Sequence, residues 1–221
     1  MKSLRLLVLA SGRGTHAVNL IEATRDGRIS GEVVRVVSDR PDAAVLGEAG
    51  ALGVSTQVLS PTTRGASLGP EAERTLLKIA SDDRIDLIAL CGFMRLLGPE
   101  FLDRASAPIL NVHPALLPAF RGLNAQRQAI EAGVRVTGAT VHFVDSGMDT
   151  GPILLQAALE VLPGDTEKTL SERLLPLEHR LYVEAIRLIQ RGAVHREGHR
   201  VTIDPGQSKN PPAAAGADRR K

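Results

Sequence analysis

Leu4-Arg5-Leu6-Leu7-Val8-Leu9-Ala10-Ser11-Gly12-Arg13-Gly14-Thr15-His16 is an apolar run that ends in a glycine-rich turn and opens onto helix-type spacing from Thr15 to Arg25. Its apolar residues are nearly consecutive instead of alternating, as expected of a strand buried on both faces. Similar runs recur at Glu32 to Val37, Ser55 to Leu59, Ile85 to Leu90 and Pro108 to Val112, and helix-type spacing recurs between them at Ala43 to Leu52 and Glu71 to Ser81. Strands alternating with helices predict βαβ units. The expected class is α/β, an open and mostly parallel Rossmann-like sheet with helices on both faces.

Beyond Val112 the pattern changes. Pro114, Pro118, Gly122 and Gly133 punctuate a loop and a helix from Leu123 to Ala132. Two strands follow, Ala139 to Val144 and Ile153 to Leu162, then a long helix from Thr166 to about Gln190 with Asp165 or Thr166 as its cap. Val194 to Ile203 reads as a hairpin turning at Glu197-Gly198. The C-terminal part is thus expected to hold mixed strands and a long helix. One domain is expected over residues 1–204, in halves 1–110 and 111–204, with 205–221 a disordered, alanine- and proline-rich tail.

Composition narrows the function classes. The chain of 221 residues is 43% hydrophobic and 24% charged, a globular balance. Of its net charge of +2, the tail supplies +3 through Lys209, Arg219, Arg220 and Lys221 against Asp218, which leaves −1 on residues 1–204. A nucleic-acid surface is therefore not expected, and with four Phe, one Tyr and no Trp there is little material for stacking on bases. No apolar run reaches the ~18 residues of a membrane helix. The lone Cys91 fits a reducing compartment, and the N-terminus shows no cleavage-site pattern, so a cytoplasmic location is expected.

Three segments could carry chemistry. Ser11-Gly12-Arg13-Gly14-Thr15-His16 lies between a strand and a helix, where backbone N–H groups converge on an anion such as phosphate. A plain tight turn would read the same way. Gly12-x-Gly14-x-x-Ala17 also fits a relaxed dinucleotide fingerprint, although Asp39 stands further along than the about 20 residues usual for a ribose-binding acid.

Asn111 and His113 are two apart at the end of the fifth strand, so they share a face where ligands of open α/β sheets bind. Both can donate to a developing oxyanion, and both could equally be satisfied structural residues. The loop Asp145-Ser146-Gly147-Met148-Asp149-Thr150-Gly151-Pro152 could be a turn alone. A carboxylate delivered from it to His113 would orient the imidazole and favour its protonated form. His142 reads as a structural histidine, Glu178-His179 as a solvated helix face, His195 and His199 as flanking a surface turn, and Cys91 as packing. No metal site is expected, since the histidines lack ligand spacing.

Asn111-Val112-His113-Pro114-Ala115-Leu116-Leu117-Pro118, followed by Gly122, resembles the motif of the folate-dependent formyltransferases. The likeness extends through Gly138 to Val144, Met148 to Ile153 and Glu178-His179. It also takes in Ser11 to Gly14 and Gly92 to Leu97. It implies transfer of a formyl group from 10-formyltetrahydrofolate, a co-substrate, with no metal.

Within the family, the chain's length and its glycine-rich loop favour the branch that formylates glycinamide ribonucleotide in purine biosynthesis. The alternatives are another amine, such as an amino sugar nucleotide, or a nucleotide-binding module without catalysis. The resemblance implies that Asn111, His113 and Asp149 are catalytic, and that Gly14, Thr15 and His16 bind the phosphate. Glu178 would meet the ribose or glycinamide end. Met94, Arg95, Leu96 and Leu97, with Asn111 and the Asp145, Ser146, Gly147, Met148, Asp149 loop, would hold the folate. Arg64 is the candidate for its glutamate tail. The family commonly has Ser-Asn where this chain has Thr15-His16, and a polar residue where it has Leu175. Small-molecule partners are implied, with monomer and homodimer both open.

Overall fold

Leu6, Leu7, Val8 and Leu9 are all fully buried because the strand that carries them, β1 (Leu4–Leu9), is covered on both sides. The computed structural model describes residues 2–204 and Gly206. The expected tail, apart from Gly206, lies outside the described residues. After β1 come α1 (Thr15–Arg25), β2 (Gly31–Ser38), α2 (Ala44–Ala51), β3 (Ser55–Val58), α3 (Pro70–Asp82), β4 (Leu87–Leu90), α4 (Pro99–Arg104) and β5 (Ile109–His113). The second part holds α5 (Ala125–Glu131), β6 (Val136–Phe143), β7 (Ile153–Glu160), α6 (Glu167–Gln190), β8 (Val194–Glu197) and β9 (Arg200–Ile203).

Seven strands form one sheet in the order β3-β2-β1-β4-β5-β6-β7. The first five are parallel, and β6 and β7 continue it antiparallel. The fold class read from the sequence is therefore the one observed. Strand alternation sends Leu6, Val8, Leu87, Ala89, Leu110 and Val112 into one core, with Leu20 and Ile21 of α1 and much of α6. Leu7, Leu9, Ile88, Leu90 and Ile109 enter the other, against Leu76 of α3 and Phe101 of α4. Each helical face removes apolar surface from water at about 25 cal/mol per Å².

Register sets the carboxyl ends of β2, β1 and β4 level with the middle of β5. Val37, Leu9, Leu90, Asn111 and His142 stand in one row across β2, β1, β4, β5 and β6. The 24-residue α6 lies over the centre of the sheet. Its first turn is closed by a capping box between Thr166 and Thr169. Its buried Tyr182 hydroxyl lies 3.1 Å from the Leu90 carbonyl and 2.9 Å from that of Leu110, one residue short of Cys91 and Asn111. Cys91 is buried, which pushes its thiol far above the ordinary range and fits packing. The six-residue α4 was not anticipated, being too short to show a period. The β8–β9 hairpin forms a separate two-stranded sheet. Among the described residues no helix is long and apolar enough to cross a membrane.

Candidate active site

At the end of β5, Asn111 and His113 are brought together with Asp149 as the sequence anticipated. Asp149 Oδ2 lies 3.3 Å from His113 Nδ1, and Asn111 Nδ2 donates to Asp149 Oδ1 at 3.4 Å. Gly122 N donates to Oδ2 at 2.8 Å. Nε2 of His113 faces the Phe120 carbonyl at 2.8 Å. The ring is thus set between the Asp149 carboxylate on one side and the Phe120 carbonyl on the other. Asp149 is itself in the left-handed region, at φ 52°, a conformation that costs a non-glycine residue about 1–2 kcal/mol. Burial alone would raise the Asp149 carboxyl, but bonds from His142 and Gly122 and the nearby imidazole charges hold it below the usual carboxylate range.

His142, read from the sequence as structural, belongs to this cluster. It pairs with Asn111 across β5 and β6. Its Nε2 is 3.3 Å from Asn111 Nδ2 and 3.5 Å from Asp149 Oδ1. Nδ1 faces the Phe143 carbonyl at 2.9 Å, so that nitrogen carries a proton. Residue type and spacing do not show this contact, because antiparallel pairing of β5 with β6 makes it; the one pointer in the sequence is that His142 lies within the Gly138 to Val144 stretch of the family likeness. The loop after His113 is held from below by Thr140. Its hydroxyl donates to the Ala115 carbonyl at 2.7 Å and accepts from Leu117 N at 3.0 Å.

The glycine-rich loop forms the second part of the site. Gly14 caps α1 in the left-handed conformation, at φ 78°. A Cβ there would come within 2.2 Å of Val45 Cγ2, so packing from behind also requires glycine. His16 Nε2 lies 2.9 Å from Glu178 Oε2, at an angle that leaves the ring nitrogen without an aligned acceptor. Glu178 is buried, which overturns the reading of Glu178-His179 as a solvated face. The long helix passes over α1 here, and Asn19 Nδ2 donates to the His179 carbonyl at 3.2 Å. His179 meets His16 edge-on with ring centroids 4.9 Å apart. Burial, reinforced by His16, lowers the His179 pKa to about 4.

The remaining predicted residues differ in exposure. Met94 and Met148 are more than half exposed, and Leu96 is also exposed. Asp145 shapes its loop by accepting from Gly147 N at 3.1 Å and from Thr150 Oγ1 at 2.7 Å. Ser146 and Gly147 are exposed within that loop, and Leu97 is buried against α3 and α4. Arg64 is exposed and makes no side-chain bond among the described residues; the neighbouring Gly65 carbonyl accepts from Arg95. Asp39, which a dinucleotide reading would reserve for a ribose, is buried and engaged by Ser11 and Arg95.

The Formyl transferase family model matches residues 4–186, the span that carries the glycine-rich loop after β1 and the Asn111, His113 and Asp149 cluster. The chain belongs to that family. It is 36% identical over 183 residues to phosphoribosylglycinamide formyltransferase of Bacillus subtilis, covering 83% of this chain and 93% of that protein. The crystal structure of glycinamide ribonucleotide transformylase 1 from Symbiobacterium toebii is 46% identical, with a TM-score of 0.85 over 91% of this chain and 94% of that one. The human trifunctional purine biosynthetic protein adenosine-3 is 39% identical over 87% of this chain. This chain spans about a fifth of the length of such trifunctional relatives.

Proposed function

We infer that this chain transfers the formyl group of 10-formyltetrahydrofolate to the amine of glycinamide ribonucleotide, a step of de novo purine biosynthesis. The observation that carries the reading is the pairing of His113 and Asn111 with Asp149 at the carboxyl edge of the sheet. The uncharged amine attacks the formyl carbon, forming a C–N bond and leaving negative charge on the formyl oxygen. Asn111 donates to that oxygen, and His113 does so once its Nε2 turns from the Phe120 carbonyl to the bound formyl group; one such donor is worth about 3–4 kcal/mol of barrier. Asp149 keeps the His113 proton in place and passes the amine proton, through water, to N10 as the C–N10 bond breaks. The products are the formylated amine and tetrahydrofolate.

The Gly14, Thr15 and His16 backbone receives the phosphate at the α1 terminus, and Glu178 meets the ribose or glycinamide end. Met94, Arg95, Leu96, Leu97 and the Asp145 to Asp149 loop hold the folate, with Arg64 at its tail. The reading places the enzyme in the cytoplasm, since a lone buried thiol needs no oxidising compartment and both substrates are soluble anions. The test is release of tetrahydrofolate, followed by absorbance, with glycinamide ribonucleotide and with competing amines. Turnover with an amino sugar nucleotide and none with glycinamide ribonucleotide would replace the acceptor.

A further inference from the structure

Ser11 and Asp39 are 4% and 5% exposed and take no part in the chemistry derived above. Asp39 follows β2 and Ser11 opens the glycine-rich loop, so the two meet across neighbouring parallel strands. The Ser11 hydroxyl donates to Asp39 Oδ1 and accepts from Met94 N at 2.8 Å. A carboxylate can only accept, so Asp39 dictates where the hydroxyl proton points and leaves a lone pair of the serine for Met94. The second carboxylate oxygen takes Arg95 Nε at 2.7 Å. Arg95 Nη1 continues to the Gly65 carbonyl, and Ser11 N donates to the Gly92 carbonyl at 3.2 Å.

These bonds fix consecutive residues of one segment, Met94 by its backbone and Arg95 by its guanidinium. They floor a cavity of about 450 Å³ lined by Ser11, Gly12, Asp39, Arg40, Met94 and Arg95. Arg95 Nη2 has no protein partner among the described residues, and the side chain remains one-quarter exposed. The buried carboxylate thus leaves one edge of the guanidinium to a ligand.

We propose that Asp39, acting with Ser11, is a positioning residue for the formyl donor: it holds Met94 and Arg95 in the geometry that binds the folate, without touching it. The proposal rests on the assignment of Met94 to Leu97 to the folate made above.

The test is steady-state kinetics on Asp39→Asn, which keeps the shape and removes the charge opposite Arg95. The expected result is a rise of about tenfold or more in KM for 10-formyltetrahydrofolate, as for loss of a charge-assisted bond. KM for glycinamide ribonucleotide should stay within about twofold and kcat within about threefold. Adding Asp39→Asn to Arg95→Gln should raise the donor KM no further than Arg95→Gln alone.

Equal weakening of both substrates, or effects that multiply in the double variant, would overturn the proposal and leave Asp39 a purely structural acid. Should Asp39→Asn not fold, Ser11→Ala keeps the Asp39–Arg95 pair; it should weaken the donor selectively, and unchanged donor affinity would count against the relay. Calorimetry with tetrahydrofolate and no acceptor separates the two levels. No binding to the wild type removes the folate site itself, whereas equal binding to wild type and Asp39→Asn removes only the positioning role.

Discussion

Nε2 of His142 stands 3.5 Å from Oδ1 of Asp149, the carboxylate oxygen that Asn111 also reaches. Unprotonated, that nitrogen accepts from the Asn111 amide; protonated, it donates to Asp149. His142 therefore meets Asp149 at the carboxylate oxygen that His113 does not face. Replacing it by Gln should lower kcat by about tenfold, the worth of a bond to a charged group, with both KM values little changed. Steady-state kinetics decide it, and wild-type turnover in the variant would return His142 to a packing role.

Asp149→Asn should preserve the fold and most ground-state binding while lowering kcat by about 10²- to 10⁴-fold, the range of general acid–base contributions. The wild-type carboxyl is held below its ordinary value of 3.8. Its contribution to stability is complete above that pH and is lost as the pH falls through the lower folded value. Denaturant titrations should therefore show a gap between wild type and Asp149→Asn that is constant near neutrality and closes only in strong acid. A gap that closed near neutral pH would contradict the charge assignment.

His179 works in the other direction from an ordinary paired histidine. Its pKa falls from 6.5 to about 4 on folding, so the unfolded chain binds the extra proton first. Stability should drop as the pH falls from 6.5 towards 4, by about 1–2 kcal/mol once half-exposure is allowed for. His179→Gln should lose this component of the pH dependence, as read by urea melts on both proteins across that range.

Gly14→Ala should lower stability by about 2–4 kcal/mol, combining left-handed strain with overpacking against Val45. Val45→Ala in the same chain should recover part of the loss in thermal melts. Gly14→Val should also weaken glycinamide ribonucleotide far more than folate, since it alters the phosphate loop; equal weakening would detach the loop from the phosphate.

What the sequence made legible followed local chemistry. α1 begins at Thr15 and ends at Arg25 as its spacing predicts, because an apolar strand, a glycine turn and an amphipathic helix are each local signals. Asn111 and His113 were legible for the same reason, being two apart on one strand. Glu178 looked solvated because nothing near it in the chain shows that His16 crosses above it. His142 and Asp39 depend on strand register, which joins residues far apart in sequence. α4 has six residues and no room for a period.

The row Val37, Leu9, Leu90, Asn111 and His142 makes turnover a gauge of the whole molecule's integrity. β5 is parallel to β4 and antiparallel to β6, so the ground on which the reacting groups stand does not exist until these three strands have paired. A partly assembled sheet has no weaker version of this site, only its separated pieces. Loss of activity and loss of secondary structure in denaturant should accordingly trace a single curve.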